Sequence, residues 1–453
     1  MSLNYLATRF KCSWPWDILV MLCDGRMVCG CADPYGHRVL GDARATSVGE
    51  VWTGPVISRL REELNHGGSS FCGDCPLKLP LKKEEAPAER PLDAGRLPAR
   101  MFIECTAACN ISCAGACCAP ETGITRTRQA GMLDFELFRR VIDEVGPTLN
   151  RVDFFNYGEA FLHKRAIEMC EYIKTSFPHI YLYTSTNGLA FSEAEARRLV
   201  HSSIDEVTFS IDGATAGSYS KYRQRGRFDV ALANLRAMTE EKRAAGRDLP
   251  FLNWRYILFT WNDSDEEMSL ARHLAADAGV DRLCWEITDH PENAYSRRFV
   301  PGSAEVEAIR HEIWDNNNLG NAIPGATPRA RIDVRTLVPG LPLMAHSGRA
   351  LRVRTRVRNL STKPFPADAT YGRRLVRLGA QLCTADGALI NRDFARAGLP
   401  QTIEAGATTD VSVDFPPVPE PGRYSIKFDL VSEGVDWFER CGSETTVKTF
   451  WVR

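Results

Sequence analysis

The chain has 453 residues, a formal net charge of −1 at pH 7 and fifteen cysteines. That length suits about three domains, and the near-zero charge argues against a nucleic-acid partner. No run approaches eighteen apolar residues, and Met1-Ser2-Leu3-Asn4-Tyr5 carries no secretory signal. No membrane span is therefore expected, a cytoplasmic location is, and the thiols point to metal sites in a reducing compartment instead of disulfides.

The first 92 residues form one expected domain and hold cysteines at positions 12, 23, 29, 31, 72 and 75. An apolar strand is predicted from Ile18 to Cys23. It is followed by Asp24-Gly25-Arg26-Met27-Val28, Leu40-Gly41-Asp42, Glu50-Val51-Trp52 and Cys72-Gly73-Asp74-Cys75. This series resembles the SPASM or twitch module in which many radical S-adenosylmethionine (radical SAM) enzymes hold auxiliary iron-sulfur clusters. That module usually follows the barrel, and here it comes first. Aligned on the Asp-Gly hairpin, the resemblance makes Cys12, Cys31, Cys72 and Cys75 the ligands, with Cys29 in reserve for Cys31 and Cys23 packed in its strand. A zinc ribbon on the same four thiols is the alternative, because thiolate spacing alone does not separate zinc from iron-sulfur. Residues 83–98, with prolines, alanines and scattered charges, read as a linker.

A short strand, Met101 to Ile103, leads into Glu104-Cys105-Thr106-Ala107-Ala108-Cys109-Asn110-Ile111-Ser112-Cys113, and Cys117 and Cys118 follow. Three closely spaced thiols can hold three irons of a [4Fe-4S] cluster and leave the fourth open, since thiolates are the soft ligands that iron-sulfur centres require. A zinc knuckle would use paired Cys-x2-Cys hooks, and these steps are of four residues. The run resembles the cluster loop of the radical SAM family, with Ile111 in the usual Leu position. The family's third cysteine would fall at Ala116, so a one-residue insertion makes Cys117 the third ligand and Cys118 its reserve. Cys105 reads as a packed small hydrophobe.

Helical and strand patterns then alternate: helices over 134–146, 164–176, 192–201, 228–245 and 265–278, and strands over 151–156, 179–185, 206–211, 252–259 and 282–287. With the strand before the cysteines this makes six βα units. They predict an α/β fold with a parallel sheet, a partial (β/α)6 TIM-like barrel over 98–310. Ligands of such sheets sit at the carboxyl ends of the strands. There the sequence places Asn156-Tyr157-Gly158-Glu159, Ser185-Thr186-Asn187-Gly188, and Ser210-Ile211-Asp212-Gly213 followed by Tyr222-Arg223. Each alone is ordinary turn or surface chemistry; their order at successive strand ends is what singles them out. The family resemblance implies that Gly158 and Glu159 hold the methionine ammonium of S-adenosylmethionine. It also implies that Thr186 and Asn187 line the cofactor pocket and that Ser210 and Arg223 bind the ribose and carboxylate. Tyr157 replaces the family's first glycine.

From about residue 325 to 453 the sequence alternates apolar and polar residues between Gly and Pro turns, as in Ala350 to Val357, Thr408 to Phe415 and Arg423 to Leu430. An antiparallel immunoglobulin-like β-sandwich is predicted. It is similar to carbohydrate-binding sandwich domains attached to bacterial polysaccharide transporters and glycosyltransferases. Trp437 and Phe438 would stack on a sugar or belong to the core.

The family resemblance implies that a reduced cluster cleaves S-adenosylmethionine to a 5'-deoxyadenosyl radical that abstracts hydrogen from a substrate carbon. A flavodoxin or ferredoxin would be the reductant, and an auxiliary cluster would accept the substrate's electron or hold the substrate. The terminal domain makes a sugar or glycan the first expectation, by dehydrogenation or epimerisation. Modification of a peptide, the task of many SPASM relatives, is the second; no winged-helix leader-binding segment is evident. A non-catalytic carbohydrate-binding scaffold is the third.

Overall fold

The computed structural model describes residues 10–30, 33, 35–73, 75, 77–80, 90–114, 131–288, 291, 293–309, 312–313, 328–336, 341–362, 364–367, 375–432, 436–441 and 443–453. The chain divides into two compact units, Met1–Val300 and Pro301–Arg453.

The first unit is built on a nine-stranded sheet. Its strands are β1 (Ile18–Met21), β2 (Arg26–Val28), β3 (Val39–Asp42), β4 (Arg100–Ile103), β5 (Arg151–Asp153), β6 (Tyr181–Thr186), β7 (Glu206–Ser210), β8 (Phe251–Ile257) and β9 (Arg282–Glu286). The order is β9-β8-β7-β6-β5-β4-β1-β2-β3. From β9 to β1 every neighbour is parallel, and β2 and β3 close the edge as an antiparallel hairpin. Between the parallel strands lie α3 (Phe135–Val145), α4 (Ala166–Ser176), α5 (Glu193–His201), α6 (Ala216–Tyr222), α7 (Phe228–Ala244) and α8 (Asp265–Ala278); α1 (Val48–Trp52) and α2 (Pro55–Asn65) precede β4. Every strand and helix expected over 134–287 is present, with ends moved by up to three residues.

Local chemistry accounts for the boundaries. Asp134 and Ser264 accept from the third amide of α3 and α8, and Ser192 with Glu195 forms a capping box at α5; each such cap contributes about 1 kcal/mol. Gly279 ends α8 in the left-handed conformation at φ 69°, which only glycine adopts without strain.

Strands β4 to β9 follow one another in sequence order. Right-handed crossovers repeated without reversal put their helices on one face of the sheet. On that face Phe138 of α3 meets Phe154 edge-on at 6.4 Å, and Arg272 of α8 covers the Trp285 ring at 5.2 Å. The alternate side chains face the other way and are unusually polar. From the strand starts, Arg100 (Nε–Oδ2 2.6 Å) and Arg151 hold Asp153, and the Tyr181 hydroxyl donates to Glu206 at 2.5 Å. Burial pushes the Asp153 carboxyl up, but the two guanidinium groups outweigh it and hold the pKa below the usual carboxylate range. Above this layer lie the rings of Phe102, Phe155 and Tyr183.

The N-terminal segment is part of this sheet. Ile18 to Met21 pairs in parallel with Arg100 to Ile103, residue for residue. The expected linker, as far as it is described from residue 90, is pinned. Trp16 Nε1 donates to the Pro91 carbonyl at 2.7 Å, Trp52 Nε1 to Arg96 at 2.8 Å, and the buried Arg61 to Pro15, Trp52 and Leu92. Its carbonyls are satisfied by side-chain donors from the module, which a composition-based reading of prolines and alanines does not register.

The second unit contains a three-stranded and a six-stranded sheet. The first orders β10 (Ala330–Arg335), β12 (Leu351–Asn359) and β15 (Thr408–Phe415). The second runs from β11 (Leu343–Ala345) through β18 (Thr446–Val452), β16 (Gly422–Ser432) and β13 (Val376–Thr384) to β14 (Leu389–Gly398), with β17 (Asp436–Trp437) paired to β16. Pairing is antiparallel except for β11 with β18. In β12 the arginines at 352, 354, 356 and 358 are exposed while Val353, Thr355, Val357 and Asn359 are buried. One core joins Val353, Val357, Val411 and Phe415 of the first sheet to Leu378, Ile426, Phe428 and Phe450 of the second. Trp437 (5 % exposed) and Phe438 (0 %) belong to the interior.

Candidate functional site

The expected site residues that are described lie at or after the carboxyl ends of β4 to β7: Cys109 and Cys113 after β4, Gly158 and Glu159 after β5, Thr186 and Asn187 at the end of β6, and Ser210 at the end of β7, with Arg223 after α6. Gly158 lies at φ +84°, and a Cβ there would run into the carbonyl oxygens of Thr106 and Ala108. Only a glycine lets the chain after β5 press so closely against the cysteine loop. The contact is fastened by the Glu159 amide donating to the Ala108 carbonyl at 2.8 Å.

Glu159 is buried. One carboxylate oxygen accepts from Thr186 Oγ1 and the other from the Asn187 amide, both at 2.8 Å. Burial pushes its carboxyl up, and these donors oppose the shift. The Asn187 side chain continues the chain of contacts, donating to Asn110 Oδ1 at 2.7 Å and lying 3.8 Å from Cys109 Sγ. Gly158, Glu159, Thr186 and Asn187 are thus brought to Cys109.

Arg223 is brought to Cys113. Ser112–Cys113 forms a two-residue antiparallel pair with Arg223–Gln224, and the Ala114 amide donates to the Tyr222 carbonyl at 3.0 Å. Arg223 Nη1 donates to Cys113 Sγ at 3.5 Å and its Nε to Asp212 Oδ2 at 2.5 Å. Burial works against the guanidinium charge, and Asp212 together with Cys113 and Tyr222 more than offsets it, holding the pKa above the usual arginine value. Asp212 itself is fixed by the Ile257 amide at 2.7 Å. Ser210 belongs to a different group, bonded to Ser185 Oγ (3.2 Å) and to Arg255 Nη2 (2.9 Å). Cys117 and Cys118 lie outside the described residues. Thiol donors on a loop cradled by Gly158, with a fixed cation on one sulfur, suit a thiolate-bound iron-sulfur cluster.

A second set of thiols lies in the N-terminal module. Cys12, Cys29, Cys72 and Cys75 line one pocket with Arg38 and Lys78. Burial and the neighbouring thiols push Cys72 up to about 12, and Cys29 and Cys12 also upward. An all-thiol donor set of this kind suits a soft metal centre, which would hold its ligands deprotonated. Cys29, the reserve, stands beside the other three, while Cys31 lies outside the described residues. Cys23 and Cys105 are buried, as expected.

Three contributors escaped the sequence reading. Glu104 Oε1 accepts from the Cys23 amide at 3.2 Å and its Oε2 from Asn156 Nδ2 at 3.3 Å, tying the end of β1 to the end of β5. Arg255 and Glu286, on neighbouring strands, pair at 3.2 Å. An arginine within an otherwise buried strand, and a glutamate at the end of one, were the available signals.

A profile of the SPASM family, described as an iron-sulfur cluster-binding domain, matches residues 12–76. The mycofactocin maturase MftC of Mycobacterium tuberculosis is 32% identical over 199 residues, 43% of this chain and 46% of that protein. The GTP 3',8-cyclase of Desulforamulus reducens is 28% identical over 127 residues, 28% of this chain and 38% of that one. The chain thus spans less than half the length of these relatives. Among solved structures, Streptococcus suis SuiB bound to S-adenosylmethionine matches over 47% of this chain and 44% of its own at 15% identity (TM-score 0.35). SuiB bound to precursor peptide SuiA matches over 54% and 55% at 11% identity (TM-score 0.36). The chain thus carries a SPASM iron-sulfur cluster-binding domain at residues 12–76 and is similar to radical SAM proteins over part of its length.

Proposed function

We propose that this chain is a radical SAM enzyme that modifies a peptide or protein substrate. Its first unit would be a partial (β/α)6 barrel with the SPASM module joined to its sheet, and its second an immunoglobulin-like sandwich. The observation that carries the chemistry is the pair of side-chain chains ending on the two described cysteines: Glu159 through Asn187 to Cys109, and Asp212 through Arg223 to Cys113. Cys109, Cys113 and Cys117 would hold a [4Fe-4S] cluster, and Cys12, Cys72 and Cys75 with Cys29 or Cys31 an auxiliary one. When bound, the first cluster supplies reductive cleavage of S-adenosylmethionine to a carbon-centred radical.

The chain's own residues would bind and orient. A carboxylate offers about four acceptor positions, so Glu159 can keep its bonds to Thr186 and Asn187 and still receive the methionine ammonium. Arg223 brings a charged donor to the same rim for the methionine carboxylate. Gly158 sets the distance between the two loops, and such positioning matters because small displacements of reacting groups cost large factors in rate.

For the substrate, the likeness to a maturase supports a peptide over the sugar first expected. The residue-level support for a sugar was the Trp437–Phe438 pair, and both rings are interior. Among the described residues no helix is long and apolar enough to cross a membrane.

Anaerobically reconstituted protein, reduced with dithionite or a flavodoxin, should release 5'-deoxyadenosine from S-adenosylmethionine. The Cys109→Ala/Cys113→Ala variant should release none. Equal release by both proteins, or none by an iron-loaded wild type, would reject this reading.

A further inference from the structure

The sheet face turned away from the helices carries a line of polar groups across four successive strands. Ser185 of β6 bonds Ser210 of β7 (3.2 Å), Ser210 accepts from Arg255 Nη2 of β8 (2.9 Å), and Arg255 Nε pairs with Glu286 of β9 (3.2 Å). The helix-side neighbours on the same strands, Val207, Phe209, Trp254 and Trp285, are 0 % exposed. The Arg255 and Glu286 side chains keep 19 % and 28 %. Charged groups such as Arg255 and Glu286 that stay partly accessible on the sheet face away from the helices suit the lining of a ligand chamber, since a core position would be sealed or apolar.

This line stands next to the cofactor residues. Asp212 and Arg223 both act on Arg255 electrostatically, and Glu286 acts on Tyr222, the residue before Arg223. Burial opposes the Arg255 charge, and Glu286, Tyr183 and Asp212 together more than offset it, so the guanidinium stays charged on this face. Arg223 holds Asp212 and Cys113 on the cofactor side. Arg255 is a second cation beside it, on the sheet face away from the helices.

Resting on the peptide reading above, we propose that Arg255 is the substrate-anchoring residue and that it receives a carboxylate, from an acidic side chain or a chain terminus of the peptide. A guanidinium presents a planar fork that matches a carboxylate in two parallel bonds. Ser210 and Glu286 fix the orientation of that fork from neighbouring strands. Glu286 also selects: its negative charge beside the fork tolerates a singly charged carboxylate better than a doubly charged phosphate. Anchoring here would hold the substrate against the face on which the cofactor residues converge.

The test uses the reconstituted full chain with S-adenosylmethionine present and four synthetic peptides, acetylated and amidated, that differ only in a central Glu, Gln, Lys or phosphoserine. Binding is measured by ligand-observed NMR. The Glu peptide should bind about tenfold more tightly than the Gln and Lys peptides, the gain of one charge-assisted fork, and more tightly than the phosphoserine peptide. Arg255→Met should abolish that preference while the Gln peptide binds as before, and Arg255→Lys should retain a reduced preference. Equal binding of the four, a preference for Lys or phosphoserine, or a preference that survives in Arg255→Met overturns the assignment. Failure of the wild type to release 5'-deoxyadenosine would instead count against the radical reading itself.

Discussion

The guanidinium of Arg223 donates to the sulfur of Cys113 at 3.5 Å while its Nε holds the carboxylate of Asp212 at 2.5 Å. The pair is nearly enclosed, with side-chain exposures of 11 % and 0 %. Removing one partner of a buried pair strands the other charge, at a cost of about 3–5 kcal/mol. Arg223→Met should therefore lower the unfolding midpoint by roughly 10 °C in calorimetry, and Arg223→Lys by less. A midpoint unchanged in Arg223→Met would mean that the pair does not hold this rim together.

Gly158→Ala meets two obstacles, the positive φ and the carbonyls of Thr106 and Ala108. A non-glycine residue in that region costs about 1–2 kcal/mol before any clash. The variant should fold, lose 5'-deoxyadenosine release by more than about tenfold, as expected for a misplaced binding loop, and retain the iron of the N-terminal site. Wild-type release would show that the close approach is dispensable.

In the N-terminal module Cys29 shares a pocket with Cys12, Cys72 and Cys75, while Cys31, the ligand that the hairpin alignment implied, lies outside the described residues. In a Cys109→Ala/Cys113→Ala/Cys117→Ala background, any remaining iron and sulfide belong to the module. Adding Cys29→Ala should remove them, and adding Cys31→Ala should not. The reverse outcome would restore the alignment's choice, and stoichiometric zinc without iron would make the site a zinc ribbon.

In the second unit burial pushes the Asp429 carboxyl up to about 8, although the amides of Glu439 and Leu430 donate to it. A carboxyl whose folded pKa is raised favours the protonated fold. Its contribution is fully present below the unfolded value of about 4 and is lost as pH rises through about 8. Thermal stability of this unit should fall between pH 5 and pH 8.5, and Asp429→Asn should flatten the slope. An equal slope in the variant would assign the pH dependence elsewhere.

The helices and strands of the alternating region were legible because their signals are local: hydrophobic period, capping residues such as Asp134 and Ser264, and glycines after strands. The ligand loops were legible for the same reason, since each lies at or after the end of a strand. What stayed hidden depends on contacts distant in sequence. The parallel pairing of Ile18–Met21 with Arg100–Ile103 leaves no periodic mark, nor does the pairing of Cys113 with Arg223. The Ser185–Ser210–Arg255–Glu286 line draws one residue from each of four strands, so no single segment announces it. Trp437 was visible as an aromatic beside Phe438 that could stack on a sugar or join the core, and only its tertiary packing decides that it is interior.

The most direct test of the central claim is the electron paramagnetic resonance spectrum of the dithionite-reduced, iron-loaded protein before and after S-adenosylmethionine is added. If the cysteines at 109, 113 and 117 leave one iron open to the cofactor, part of the reduced-cluster signal should shift on addition. The Cys109→Ala/Cys113→Ala/Cys117→Ala variant should show only the unshifted signal of the N-terminal site. Identical spectra with and without S-adenosylmethionine in the fully loaded wild type would contradict the radical SAM assignment of this site.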